Sequence, residues 1–104
     1  MDKKFIEQRI KDKRFKVTTH ALERRLERGI TLKEMQRILI EGKIIEVDKK
    51  AKPYPTTIVL GYTKHGDPIH VVLSEAGKEP KLRIFTVYDP DSALWDKTFS
   101  KRKK

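Results

Sequence analysis

The 104-residue chain contains no cysteine. This excludes a disulfide framework and any thiolate metal site, and it makes a reducing compartment the natural setting. Glycine is scarce: Gly29, Gly42, Gly61, Gly66 and Gly77 stand singly, so neither a G-x-G-x-x-G nor a G-x-x-x-x-G-K nucleotide loop can be read. His20, His65 and His70 form no H-x-x-x-H pair, and no paired-carboxylate motif accompanies them, so metal ligation has no recognisable spacing. Neither Ser74 nor Ser92 sits in a G-x-S-x-G elbow. Apolar runs such as Ile38–Ile40 and Val71–Leu73 are far too short to cross a bilayer, and residues 1–16 alternate charges instead of building a signal core. The expectation is a soluble, cytoplasmic protein with no metal, no cofactor and no membrane partner, whose chemistry is cation-assisted or limited to binding.

Positive charge is what the chain has in excess. The formal net charge is +10, but it is unevenly spread: seven basic against three acidic residues in 1–16, thirteen against twelve in 17–96, and five against none in 97–104. Phosphate neutralisation by Lys and Arg supplies most non-specific affinity for nucleic acid, so RNA or DNA is a natural partner. The basic tail, with Lys101, Arg102 and Lys103, reads either as a disordered, solvated end or as an extra RNA contact.

Local patterning divides the chain into a basic N-terminal helix within 1–16, an α+β domain over 17–96 and the tail 97–104. Phe5, Ile6 and Ile10 give a narrow apolar stripe over about Lys3–Lys13, with Phe15 as a further member. Thr18 or Thr19 caps a second helix over His20–Arg28, which Gly29 ends. Thr31 starts a third, with Glu34 at capping-box spacing, Met35, Ile38 and Leu39 buried, and Gly42 closing it. From Lys43 the period turns toward two, with Ile45 and Val47 opposite Glu46 and Asp48. "TTIVLGYT" and "PIHVVLS" form a hairpin about "KHGD", and "KLRIFTVY" is a further strand that leaves through "DPDSALW" into a short helical turn. Helices first and strands afterwards predict N-terminal helices packed on a twisted antiparallel sheet of about four strands.

The stretch "THALERRLERGI" carries the chemical interest. At about 100° per residue, His20, Arg24 and Arg28 fall on one side of a helix, with Leu22 and Leu26 opposite and Arg25 on the flank. Leucines packed on the sheet would leave an outward row of one imidazole and two guanidinium groups. An arginine fork bonds two phosphate oxygens at once, and a histidine titrates near neutrality, so the row can bind a phosphodiester and move a proton. A solvated helix face gives the same pattern. His70, mid-strand among apolar neighbours, is either a second proton-transfer group or a hydrogen-bonded core histidine, sharing its face with Val72 and Ser74. Strict alternation groups Arg83 with Phe85 and Val87, and Leu82 with Ile84, Thr86 and Tyr88. Tyr88 and Trp95 read either as cleft residues or as packed rings with a polar tip.

Together "THALERRLERGIT", "EGKIIE", "PIHVVLS" and "IFTVYDPDSALW" resemble a family of small bacterial and archaeal domains of unknown function related to the BrnT and RelE type toxins of toxin–antitoxin systems. The resemblance covers Val17 to Trp95. It implies a RelE-like fold, metal-free cleavage of messenger RNA, often on the ribosome, and an acidic antitoxin that covers the site. Its pattern falls on His20, Arg24, Arg28, His70, Thr86 and Tyr88; of these His20, Arg24, Arg28, His70 and Tyr88 are read as catalytic and Thr86 as an RNA contact, with Arg25, Arg83 and, outside the resemblance, the basic tail as further RNA contacts. In such a reaction the arginines hold the phosphate, His20 or His70 takes the 2′-hydroxyl proton, and Tyr88 or Arg83 orients substrate or supplies the acid. A non-catalytic nucleic-acid-binding module would use the same cations, whereas a plain protein-interaction domain would make its contact through the exposed sheet face.

Overall fold

Three helices lie on one face of a five-stranded mixed sheet in the computed structural model, which describes residues 1–103. In helix α1 (Lys3–Lys11), Asp2 Oδ1 accepts from the Phe5 amide at 2.8 Å, and Ile6 and Ile10 are buried. Lys3 Nζ donates to the Leu39 and Ile40 carbonyls at 2.9 and 2.6 Å, neutralising the carbonyl end of another helix. Strand β1 (Phe15–Val17) follows, then α2 (Thr19–Glu27) and α3 (Leu32–Glu41). Thr18 and Thr31 are their N-caps, accepting from the Ala21 and Glu34 amides at 3.0 Å. Gly29, at φ +66°, supplies the left-handed residue between them. Only half of the expected capping box forms: the Glu34 carboxylate accepts from the Lys64 amide at 2.9 Å instead, joining α3 to the hairpin turn.

Strands β2 (Lys43–Asp48), β3 (Thr56–Tyr62), β4 (Pro68–Glu75) and β5 (Leu82–Tyr88) complete the sheet in the order β1-β5-β4-β3-β2. All pairings are antiparallel except β1 with β5, which is parallel. The expected four-stranded antiparallel sheet is therefore corrected to a mixed one. The missed strand is three residues long and straddles the boundary drawn between a helix and a domain at residue 16. Because Ile6 and Ile10 join the buried cluster with Met35, Ile38, Leu39, Val71, Leu73 and Ile84, α1 belongs to the domain. Each such fully buried aliphatic side chain contributes about 1.5–3 kcal/mol.

Two bulges reset the strand faces. In β5 the register steps from Val72↔Thr86 to Leu73↔Ile84, leaving Phe85 as the extra residue. Leu82, Ile84 and Val87 then face the helices, while Arg83, Thr86 and Tyr88 share the opposite face with Ser74, Val72 and His70. Strict alternation had separated Arg83 from Thr86 and Tyr88, and the bulge overturns that. In β2 the step falls at Ile45, so Ile44, not Ile45, packs with Val47's side toward the helices, and Val47 stays 47% exposed.

The helix-free face is partly covered by the chain's own C-terminal end. After a single helical turn closed on the Asp91 carbonyl, Trp95 is buried and bridges to Arg102. Asp96 Oδ1 gathers the amides of Thr98 and Ser100 at 3.0 and 3.2 Å, and Arg102 forms two bonds to Glu46 at 2.7 and 2.9 Å while stacking over Trp95. Residues 97–103, expected as a disordered tail, thus form a turn docked across the sheet; Lys104 lies outside the described residues. No helix among the described residues is long and apolar enough to cross a membrane.

Gly42 joins α3 to β2 where a Cβ would stand 2.6 Å from the Leu60 carbonyl and 2.7 Å from that of Ile38, both rigid backbone. Gly42→Ala is expected to destabilise the fold by about 1–3 kcal/mol, whereas Gly77→Ala, with nothing near, should be close to neutral. Chemical denaturation of both variants against the parent checks this. Equal stabilities would mean that the α3–β2 junction is looser than its contacts imply.

Candidate functional site

Helix α2 turns a different face to the sheet than its leucines predict. Ala21 is its buried residue, Leu22 is half-buried, and Leu26 is 66% exposed. The residues one and two turns on from Ala21 are Arg25 and Arg28, both half-buried. Arg25 Nη1 donates to the Ile30 carbonyl at 3.1 Å, bracing the α2–α3 junction. The expected row opposite the leucines is correspondingly split. Arg24 Nη1 donates to Glu27 at 2.9 Å on the surface. Arg28 Nη1 donates to the Arg24 carbonyl at 3.3 Å, and its Nε lies 3.5 Å from Asp89 Oδ2, a charge contact without hydrogen-bond alignment. Carboxylates therefore hold both arginines, and His20 alone of the row is exposed without such a partner, its ring tilted against Phe85 at 6.4 Å between centroids.

His70 is wholly buried. Its Nε2 lies 2.8 Å from the Phe99 carbonyl, which can only accept, so the ring proton is assigned to Nε2. Nδ1 then accepts from the Tyr88 hydroxyl at 3.2 Å, and Trp95 stacks edge-on at 4.5 Å between ring centroids. Of the alternatives read for His70, the hydrogen-bonded core histidine is the one seen. Tyr88, with its hydroxyl turned to His70, is packed in the same way. Burial pushes the Tyr88 phenol pKa up, and burial likewise holds His70 below its ordinary value of 6.5, against the Phe99 carbonyl and Glu46, which favour the charged ring. Arg102 is committed to Glu46, whereas Lys101 and Lys103 are exposed.

The C-terminal turn covers only the Tyr88 end of this face. At the other end a cavity of about 180 Å³ opens between the face and the loop after β2. Arg83, Ser74 and Thr56 line its floor, Thr18 and Phe85 one wall, and Lys52, Pro53 and Tyr54 the other. Arg83 Nε is buried without an acceptor, and the guanidinium joins none of the ion pairs among the described residues. Phe85 and Tyr54 are 47% and 37% exposed, so both offer ring surface at the rim. Thr86, half-buried opposite Val72, lies between this cavity and Tyr88.

A guanidinium fork, a lysine and two hydroxyls around a small hollow can take an anion, and the aromatic rims can take a planar group. Of the residues singled out in the sequence, Arg83 lines this hollow and His20 adjoins it through Phe85; Arg24, Arg28, His70 and Tyr88 lie elsewhere. Lys52, Tyr54, Thr56, Ser74 and Phe85 were not singled out as site residues. The lysine and tyrosine set among prolines in "KKAKPYP" were the available signal. Among the described residues no three His, Cys, Asp or Glu side chains cluster as a metal set.

The chain belongs to the family described as "Domain of unknown function (DUF4258)", whose model matches residues 17–89. No curated protein and no solved structure matches it.

The depressed His70 pKa has a consequence for stability. The unfolded chain takes up its imidazole proton near the ordinary 6.5, the folded chain only at lower pH. Stability from the neutral ring is thus present above about pH 6.5 and is lost as pH falls from there toward the folded value. Thermal melts followed by the fluorescence of Trp95, the one tryptophan, should show Tm falling between about pH 7 and pH 5. In His70→Gln that slope should flatten, and an unaltered slope would place the titrating group elsewhere.

Proposed function

We propose that this domain binds single-stranded RNA across the Arg83 cavity and cleaves its backbone without a metal ion, in the manner of the BrnT and RelE type toxins that the sequence resembles. The observation that carries the proposal is the unpartnered Arg83 guanidinium, set among hydroxyls and exposed aromatic rings, next to an exposed histidine. Arg83 and Lys52 hold one phosphate. Ser74 and Thr56 bond its oxygens or the ribose, and Tyr54 and Phe85 take flanking bases by stacking. The N-terminus of α2, capped by Thr18 at the cavity wall, adds its positive dipole end.

In the reaction His20 takes the proton from a 2′-hydroxyl, the freed oxygen attacks phosphorus, and the bond from phosphorus to the 5′-oxygen breaks. The leaving oxygen takes a proton from solvent, giving a 2′,3′-cyclic phosphate and a 5′-hydroxyl. Arg83 steadies the charge that builds on the phosphoryl oxygens. Arg24 and Arg28 lie on the strand's flank, and the exposed Arg24–Glu27 pair, worth at most about 1 kcal/mol, can yield to a second phosphate. An acidic partner protein laid over the cavity would replace the RNA phosphates and switch the domain off.

One feature favours a second reading, an RNA-binding module without catalysis: among the described residues His20 is the only histidine adjoining the cavity, so no imidazole pair stands there to serve as base and acid. Incubation of the purified protein with a mixed RNA pool in EDTA, with mapping of 5′ ends and cyclic phosphates, separates the two. His20→Ala should lower cleavage by about 10²–10⁴-fold. Arg83→Ala should weaken RNA binding by about tenfold or more. Retained cleavage in His20→Ala ends the nuclease reading, and unchanged affinity in Arg83→Ala ends the role given to the cavity.

A further inference from the structure

The two edges of the sheet are unlike. β1 exposes three residues with Lys16 outward at its centre, a short edge of the kind that resists further pairing. β2 is twice as long and bonds through one side only, to β3. Among the described residues no other backbone segment bonds to its outer side. It has no proline or glycine, and it carries Val47, 47% exposed, on the helix side of the sheet. An open row of amides and carbonyls beside an exposed valine is a template for another strand.

We propose that the strand added there is β2 of a second copy of this chain, paired antiparallel about a twofold axis between Ile45 and Glu46. In that register Lys43 stands opposite the second copy's Asp48, Ile44 opposite its Val47, and Ile45 opposite its Glu46. The charges complement one another, and neither Lys43 nor Asp48 has an ion-pair partner within its own chain among the described residues. The faces agree as well. Ile44 and Val47 pair with Val59 and Thr57 on the helix side, while Lys43 and Asp48 pair with Leu60 and Thr56 on the other.

That agreement is a product of the bulge at Ile45. Residues three apart in a regular strand point to opposite faces, so Ile44 and Val47 could not be cross-strand neighbours without it. Sliding the pairing by one residue sets Lys43 against Val47, or Ile44 against Asp48, and in each case the two lie on opposite faces. Of these three registers the proposed one alone joins apolar to apolar and cation to anion, and a slide by two would set Lys43 against Glu46, whose carboxylate already holds Arg102. Backbone bonds and the Ile44–Val47 contacts hold the pair, and the two Lys43–Asp48 contacts select the register. The two sheets become one, with both Arg83 cavities open on the same side. The pairing does not depend on what the cavity binds.

Sedimentation of the full chain from about 1 µM to about 1 mM should show a monomer–dimer equilibrium. Lys43→Glu and Asp48→Lys, each of which places like charges in opposition twice, should each weaken it by about tenfold or more, and the double variant should recover it. Both side chains are exposed, so circular dichroism should be unchanged in all three. As a second measurement, Lys43→Cys and Asp48→Cys chains, otherwise free of cysteine, should form a disulfide when mixed and oxidised, and far less of it separately. A monomer throughout, single variants that dimerise like the parent, a double variant that does not recover, or no preference for the mixed disulfide would each overturn the pairing.

Discussion

A single extra residue in β5 decides which side chains meet on this protein. Strand side chains alternate, so inserting Phe85 between Ile84 and Thr86 reverses the parity of everything beyond it. Before the bulge, Leu82 and Ile84 bury against the helices; after it, Val87 does so. The polar residues follow the opposite rule, and Arg83, Thr86 and Tyr88 collect on the helix-free face. Without the bulge, alternation from Leu82 and Ile84 would turn Tyr88 toward the apolar core and Val87 away from it. His70 would then lack the hydroxyl that now satisfies Nδ1. A buried imidazole with an unpaired nitrogen is costly, so the parity change and the burial of His70 are coupled.

Much of the fold was legible in the sequence where the signal is local. The threonine caps at Thr18 and Thr31, the glycine after α2, the hairpin about Gly66 and the strand of residues 82–88 follow from side chains acting within a few residues of themselves. What could not be read depends on distant partners. β1 is three residues of ordinary composition that become a strand only because β5 offers a parallel edge. The face of α2 was misassigned because Leu22 and Leu26 outweigh Ala21 in any periodicity, while the close approach to β5 is made by the small residue. Long arginine stems at Arg25 and Arg28 fill the remaining interface, as amphipathic side chains do when only their tips need water.

The candidate site shows the same division. Arg83 and His20 were found by residue type, but their neighbourhood was not, because Lys52 and Tyr54 come from the loop after β2 and Ser74 from β4, both distant in sequence from α2. Charge counting was least informative at the C-terminal end. Five uncompensated basic residues looked like a solvated tail, yet Arg102 meets Glu46 from 56 positions away and stacks on Trp95. Asp96 meanwhile collects the loop's amides, and its bond from Thr98 is the main cause holding its carboxyl below the ordinary range. Here the basic end folds over a buried histidine, through Phe99 and Trp95, and one of its cations is paired with Glu46.

The Lys3 ammonium, held by the Leu39 and Ile40 carbonyls, bears on where this domain begins. The family's shared stretch starts at residue 17, inside β1 and after α1. In this chain α1 nonetheless fills part of the core with Ile6 and Ile10 and ties off the carbonyl end of α3. A fragment cut at the family boundary would bare that apolar seam and leave two carbonyls without their cation. The core of this chain is thus completed by a helix that lies outside the family's shared stretch.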